Sequence, residues 1–566
     1  MAQPLLVTHL SWERVLLHID IEAVGADPNE FYLTPNNRPY KVLYPVSAEK
    51  TGDDQYRLTI NITQFNGRRQ VPNGTYYVVN GPVPNQYIGR ESEFESELEP
   101  EYDVAGDIAY YPLERILDLD DASRSFLYNN NRSSYAVNFA VSDNEDAPGF
   151  LIRTYAFSRG GAKPSGFRAR TSSKLKKRWT KLKRKTLKRV YKAGQSFRKD
   201  DGNRILFASE ARPNMQGNLK AVHDRMVERG LKEQFEFDYS FRTQHSATRQ
   251  NALALAWKVG RANTVLIDDY FAILMDIGDR KSQRIIQLWH AGSGFKSVGF
   301  SRFGNYGSPK FNNAHRKYTY AICGSQHLRD VYSEVFGMER ESIISTGLPR
   351  IDYFLEEGRA DNVSKVFDSD YPAAVGKRKI LFAPTFRGRG AGDAHYDYSQ
   401  FDFDKLYEAM GNDSVFLFRQ HHFIVDPAPI PDEYTDRLID VSAFPDSNDL
   451  LLISDLLVTD YSSIVYEYSL LERPIVLFAY DLELYSATRG MHKDYRVAAP
   501  GPVAENFDQF LALINDRHLD AGATEEYMHE NFDFADTHNS DRVIDNLILG
   551  TPTPEGSIEQ TWQTSQ

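Results

Sequence analysis

The chain is short of cysteine, of long apolar runs and of nucleotide-hydrolysis signatures, and each shortage excludes something. Its one cysteine, Cys323, cannot close a disulfide within the chain, and a cytosolic setting is expected. No apolar run approaches the roughly 18 residues that a membrane-spanning helix needs. Met1-Ala2-Gln3-Pro4 lacks a basic stretch followed by an apolar core, so no secretory signal is expected. There is no Gly-rich Walker sequence, no His-x-x-x-His pair suited to one helix face and no cysteine cluster. ATP hydrolysis and a dedicated metal centre are therefore not expected, and no cofactor is; Asp268-Asp269 is the one place a divalent cation would touch, and a polar strand end explains it as well. A net charge of −12 argues against nucleic-acid binding by the molecule as a whole. What is present suffices for real cores: 566 residues, 41% hydrophobic and 13% aromatic, enough for two to four domains.

Residues 1–158 read as all-β. Val15, Leu17, Ile19 and Ile21 alternate with other residues, as do Tyr56, Leu58, Ile60 and Ile62, and Tyr135, Val137, Phe139 and Val141. Period-two patterning between turn signals such as Asn66-Gly67 and Asn73-Gly74 argues for a sandwich or barrel. Glu91 to Asp103 is acidic and reads as a solvated loop or edge. The charge then inverts over 159–203. No Asp or Glu falls between Ala147 and Lys199, and Lys163 to Lys199 holds 16 Lys and Arg. Leu175, Trp179, Leu182, Val190 and Tyr191 fall near one helical face. Three readings stay open for this segment: an element on an anionic membrane surface, a site for a polyanionic polymer, or a solvated linker.

From 204 the pattern becomes alternating strands and helices, the mark of parallel α/β domains. Residues 204–365 hold Ile205-Leu206-Phe207-Ala208, Thr264-Val265-Leu266-Ile267, Ile285-Ile286-Gln287-Leu288 and Tyr320-Ala321-Ile322-Cys323. Residues 366–550 hold Ile380-Leu381-Phe382-Ala383, Val415-Phe416-Leu417-Phe418, Leu456-Leu457-Val458 and Ile475-Val476-Leu477-Phe478. A hinge is placed in the polar stretch from Asp361 to Gly376, and 551–566 reads as a loose tail. Polar residues gather just after the strands, where open parallel sheets bind ligands. The sharpest case is Asp460-Tyr461-Ser462-Ser463, between an apolar run and the predicted helix that opens with Ile464. Partnerless helix N–H groups and two hydroxyls there suit the phosphates of an activated substrate, although Asp and Ser are also ordinary helix caps.

Five ordered blocks resemble the CDP-glycerol glycerophosphotransferase family, the teichoic-acid polymerases and primases. They are Gln287 to Gly292 with Phe295-Lys296 and Gly299 to Arg302; Gly347 to Asp352; Ile380 to Gly388; Thr459 to Ser463 with Glu467, Arg473-Pro474 and Tyr480 to Glu483; and Asp536 to Val543. The resemblance covers roughly 204–549. It implies a GT-B pair of Rossmann-like domains, here preceded by the all-β domain and the basic helical linker. It also implies transfer of a polyol phosphate from a CDP-polyol to a hydroxyl, with release of CMP.

Phosphoryl transfer needs a base for the acceptor hydroxyl and positive charge around the phosphoryl oxygens. On the resemblance, His290 is the candidate base, and His421 of Arg419-Gln420-His421 is a ligand or acid near the phosphates; His422 stands where relatives often have Pro. Arg350, Arg387, Arg419 and Thr385 are candidate phosphate ligands, with Ser462 and Ser463 at the helix start. Glu467 is a candidate acceptor from a ribose hydroxyl, and Asp460 is expected to orient its loop. Asp352 either fixes Arg350 or caps a helix. The Trp289-His290-Ala291-Gly292 wording looks closer to ribitol than to glycerol polymerases. The expected enzyme is cytoplasmic and peripheral on the inner face of the membrane, held there by Lys163–Lys199, with a lipid-linked teichoic-acid-type acceptor. A GT-B glycosyltransferase using a nucleotide sugar and a non-catalytic polymer-binding protein are the alternatives.

Overall fold

In a computed structural model the chain groups into two compact units, each described here by itself. The described residues are 5–550, apart from 37–42, 66–69, 83–106, 113–114, 117, 130–131, 143–148, 159–166, 200–201, 243–248, 278–282, 290–296, 305–307, 389–392, 490 and 492. The Asn66-Gly67 turn, the acidic stretch from Glu91 to Asp103, the 551–566 tail and His290 thus lie outside them.

The first unit takes in Met1–Lys176, Val298–Arg316 and Ser333–Glu339. One antiparallel sheet runs in the order Leu6–Glu13, Leu16–Glu22, Gln55–Asn61, Ser47–Gly52. A second centres on Gly74–Asn80, Phe150–Ser158 and Ser133–Val141. Alternation explains the burial: Leu17, Ile19 and Ile21 face inward while His18 and Asp20 between them stay partly exposed. One apolar cluster draws on both sheets.

The sequence reading placed 298–316 and 333–339 in the following α/β domain, and this needs correction. Phe303 is buried in the first unit's core, its ring 5.7 Å from Phe126 and 5.1 Å from Tyr128. Arg14 donates to both carboxylate oxygens of Glu334 at 3.0 and 2.8 Å. Aromatic burial and a paired charge decide the membership, neither of which strand periodicity reports.

The second unit holds two six-stranded parallel sheets. The first has the order Glu236–Phe241, Arg204–Ser209, Thr264–Ile267, Arg284–Gln287, Tyr320–Cys323, Ile343–Ser345. The second has the order Leu438–Asp440, Ser414–Phe418, Arg378–Phe382, Leu456–Thr459, Ile475–Phe478, Val503–Ala504. Central strands such as Ser414–Phe418 are buried at every position, as expected where helices cover both faces. The chain returns to the first half near its end, where Asp352 accepts from the backbone of Asn539 at 2.8 Å and Ser540 at 2.7 Å. Of the two roles left open for Asp352, the capping one is what the geometry shows.

The basic segment forms one helix, Phe167–Ser196. Its last turns pack within the second unit: Leu187 and Tyr191 are buried, and Gly194 and Gly260 let two helices touch. A Cβ on Gly260 would stand 2.4 Å from the Tyr191 carbonyl oxygen. Tyr191 therefore does not share an exposed apolar face with Trp179 and Leu182, which are 62% and 52% exposed. Among the described residues no helix is long and apolar enough to cross a membrane.

A pH test follows from the first unit. His315 is buried with its ring 5.2 Å from Phe336, and burial pushes its pKa down to about 3. Below the ordinary value of about 6.5 the unfolded chain binds a proton that the folded chain refuses, so stability is lost as pH falls from there towards 3. The thermal midpoint should fall more steeply on acidification in wild type than in His315→Gln. Equal slopes would remove His315 as the cause.

Candidate functional site

In the second sheet, Arg378–Phe382 and Leu456–Thr459 are neighbours, and the strand order reverses between them. A crevice at the strand ends is expected at such a point. The loops after these two strands carry Thr385 and Asp460. Asp460 is fully buried; its Oδ1 accepts from the Thr385 N–H at 2.8 Å and the Thr385 hydroxyl at 2.9 Å. Its Oδ2 accepts from Arg387 Nη1 at 2.8 Å. The other edge of the Arg387 guanidinium binds Asp481 twice, at 2.7 and 2.9 Å. Rings of Tyr396, Tyr461, Tyr480 and Tyr485 surround the guanidinium at 5.3–5.5 Å. Burial opposes its charge, but Asp460 and Asp481 outweigh that and hold its pKa above the ordinary value.

Thr385, Arg387 and Asp460 are thus committed to one another. Thr385 and Arg387, expected as phosphate ligands, do not line the cavity beside the crevice, and both hydrogen-bond Asp460. Asp481 completes this node; the sequence reading placed it in the fourth block and gave it no role.

The cavity, of about 1070 Å³, is lined from both halves of the second unit. Trp289 and Arg350 come from the first half; Arg419, His422, Ser462, Ser463 and Glu467 come from the second. Arg350 donates from Nε to Glu467 Oε1 at 2.7 Å, and its Nη2 binds the same oxygen. Glu467 is buried, so this is a partly desolvated pair across the cavity floor. Arg350 and Glu467, read separately as phosphate and ribose ligands, prove to be partners. Arg419 is held by its own half: Nε donates to the Ser447 hydroxyl at 3.1 Å, and Nη1 reaches the Phe444 carbonyl at 2.7 Å and the Ser442 carbonyl. These bonds leave Nη2 unused.

Ser462 and Ser463 stand at the start of Ile464–Ser469, a helix of only 6 residues. The expected helix dipole is therefore weak, and the two hydroxyls and local N–H groups carry the site's donor capacity. His422, not His421, is on the cavity wall. Burial lowers the His422 pKa, and the charges of Arg419 and Arg212 add to this, so the imidazole is neutral near neutral pH. His421 packs its ring 4.8 Å from Phe386, and its Nδ1 accepts from the Phe423 N–H at 3.2 Å. His290 lies outside the described residues; Trp289, directly before it in sequence, lines the cavity. Among the described residues no group of three or more His, Cys, Asp or Glu is placed to hold a metal.

Two tandem parallel sheets, with guanidinium and hydroxyl groups lining a cavity between them, are the two-domain arrangement of the GT-B fold class. The comparisons narrow the class. The family model described as CDP-glycerol:poly(glycerophosphate) glycerophosphotransferase matches residues 191–549. The teichoic acid poly(ribitol-phosphate) polymerase of Bacillus spizizenii is 37% identical over 352 residues, which span 61% of this chain and 56% of that protein. The teichoic acid ribitol-phosphate polymerase TarL of Staphylococcus aureus is 28% identical over 96% of this chain and 98% of its own length. A solved structure of the wall teichoic acid polymerase TagF superposes with a TM-score of 0.51 at 21% identity, over 69% of this chain and 97% of that one, a likeness of fold. The chain belongs to the CDP-glycerol:poly(glycerophosphate) glycerophosphotransferase family. Its enzymatic class is polyol-phosphate transfer.

The division between scaffold and ligand groups is testable by urea unfolding. Arg387→Met strands the buried Asp460 and takes the counter-charge from the half-buried Asp481, and should cost about 3–5 kcal/mol of stability. Ser462→Ala with Ser463→Ala removes partly exposed hydroxyls and should change stability by about 0.5 kcal/mol or less. An Arg387→Met protein as stable as wild type would contradict the scaffold role.

Proposed function

We propose that this chain transfers ribitol phosphate from CDP-ribitol to the terminal hydroxyl of a teichoic-acid-type acceptor and releases CMP. One observation carries the reading: Arg350, Arg419, Ser462, Ser463 and His422 converge on one cavity beside Trp289, the residue that precedes His290. Ribitol over glycerol is supported by TarL, a ribitol-phosphate polymerase that matches along nearly the whole chain.

In this mechanism the acceptor oxygen attacks the phosphorus that carries the polyol. A new P–O bond forms as the bond from that phosphorus to the CMP oxygen breaks, and CMP departs with the bonding pair. His290 takes the proton of the attacking hydroxyl. Arg419 and the two serine hydroxyls hold the diphosphate oxygens as charge moves to the leaving CMP. His422, a neutral imidazole on the cavity wall, donates a hydrogen bond from its N–H to that oxygen. Arg350 and Glu467 set the distance between the two walls, and Glu467 keeps an oxygen for the ribose. Thr385, Arg387 and Asp460 act through the loop they fix.

The helix Phe167–Ser196 is assigned to an anionic bilayer on the inner face of the membrane. Exposed Trp179 and Leu182 lie among exposed Arg178, Lys181, Lys183, Lys185 and Lys188. Each such cation is worth about 1 kcal/mol near an anionic leaflet.

Two measurements check this. CMP release should require both CDP-ribitol and a lipid-linked polyol-phosphate acceptor, run faster than with CDP-glycerol, and fall about 10²–10⁴-fold in His290→Ala. Faster turnover of CDP-glycerol would reassign the donor; release of UDP from a UDP-sugar would replace the reading with glycosyl transfer. Sedimentation with phosphatidylglycerol vesicles should be salt-sensitive, absent with phosphatidylcholine alone, and weakened by Trp179→Ala with Lys181→Gln and Lys185→Gln. Binding that is the same in wild type and variant would rule out this helix as the anchor.

A further inference from the structure

We infer that Asn218 is a positioning residue for the phosphotransfer, an inference that rests on the function proposed above. Asn218 is 2% exposed, at the start of the helix Gly217–Glu228. Its amide nitrogen donates to two successive carbonyls, Leu288 at 2.7 Å and Trp289 at 2.5 Å. Its amide oxygen accepts from the Arg350 N–H at 2.9 Å. One short side chain therefore ties the end of the Arg284–Gln287 strand to the first residue of the helix Arg350–Phe354.

The tie falls where the backbone most needs it. Trp289 has φ +33°, a left-handed conformation that a bulky residue adopts only when its surroundings impose it. A second buried amide completes the hold: Gln287 Oε1 accepts from the Trp289 N–H at 3.0 Å, and Gln287 Nε2 donates to the Asp269 carbonyl at 3.0 Å. Both polar groups of the Trp289 backbone are thus fixed by side-chain amides. Arg350, anchored by the same Asn218, reaches the other half of the unit through Glu467. The orientation of the amide is forced, because turning it over would set its oxygen against two carbonyls. A carboxylate would do the same, so Asn218→Asp keeps the acceptor for Arg350 and loses both donors.

Reaction geometry is sensitive to displacements of about an ångström. Asn218→Ala and Asn218→Asp should each lower kcat about 10- to 100-fold while KM for the donor stays within about twofold. Because Asn218 acts partly through Arg350, its loss in an Arg350→Ala background should be at least about threefold smaller than in wild type. Deuterium uptake should rise at Trp289 and at the Arg350 amide in both variants and stay unchanged in the first unit's sheets. Unchanged kcat, a loss of the same size in both backgrounds, or unchanged uptake would each overturn the inference. The two readings fail separately. Wild type that releases no CMP from either donor would overturn the proposed function, and uptake would then decide the role of Asn218; wild type that turns over beside variants with full kcat would overturn only Asn218.

Discussion

A single buried guanidinium governs the shape of the site. Arg387 sits among four tyrosine rings and has lost most of its water, a state that is tolerable only because Asp460 and Asp481 supply its counter-charge and its hydrogen bonds. Each partner is then fixed in turn. Asp460 collects the Thr385 amide and hydroxyl, Tyr461 gives its hydroxyl to Asp481 at 3.0 Å, and Tyr495 gives its own to the Asp460 carbonyl at 2.6 Å. With the side chains of Asp460, Asp481 and Thr385 bound within the node, Ser462 and Ser463 are left to line the cavity. Thr385, Arg387 and Asp460, expected from the sequence beside the phosphates, are bonded to one another and fix the loop that carries Ser462 and Ser463.

The first half of the unit is held to this frame by different means. Arg350 meets Glu467 across the cavity floor, and the returning end of the chain closes the back: Asp352 caps Asn539 and Ser540, and Arg225 binds Asp541 through bonds of 2.9 to 3.1 Å. These pairs join residues distant in sequence and tie the two halves together beside the cavity. On the proposed reading, a donor diphosphate entering the cavity would meet cations already fixed by carbonyls and carboxylates, with little reorganisation left to the moment of reaction.

The α/β character of the second unit was legible because buried parallel strands leave continuous apolar runs, such as Val415 to Phe418, ending abruptly in polar residues. The turn at Asp460 was legible for the same reason. What could not be read is partnership. Nothing local tells Arg387 from Arg419, yet one is locked between carboxylates and the other lines the cavity. Glu467 and Arg350 lie 117 residues apart, and only the packed structure pairs them. His421 and His422 differ by one position, and a turn after a strand decides which faces the cavity. Asn218 was not singled out in the sequence, and its hold on Trp289 exists only in three dimensions. Phe303 reads as part of an α/β domain and packs instead with Phe126 and Tyr128 of the β-rich unit.

Calorimetric titration with CDP, the nucleotide and diphosphate without the polyol, addresses the central claim most directly. The account predicts one site per chain in wild type, at least tenfold weaker binding when Ser462 and Ser463 are both alanine, and retained folding in that variant. Undiminished affinity in the doubly substituted protein would place the diphosphate elsewhere and contradict the site described.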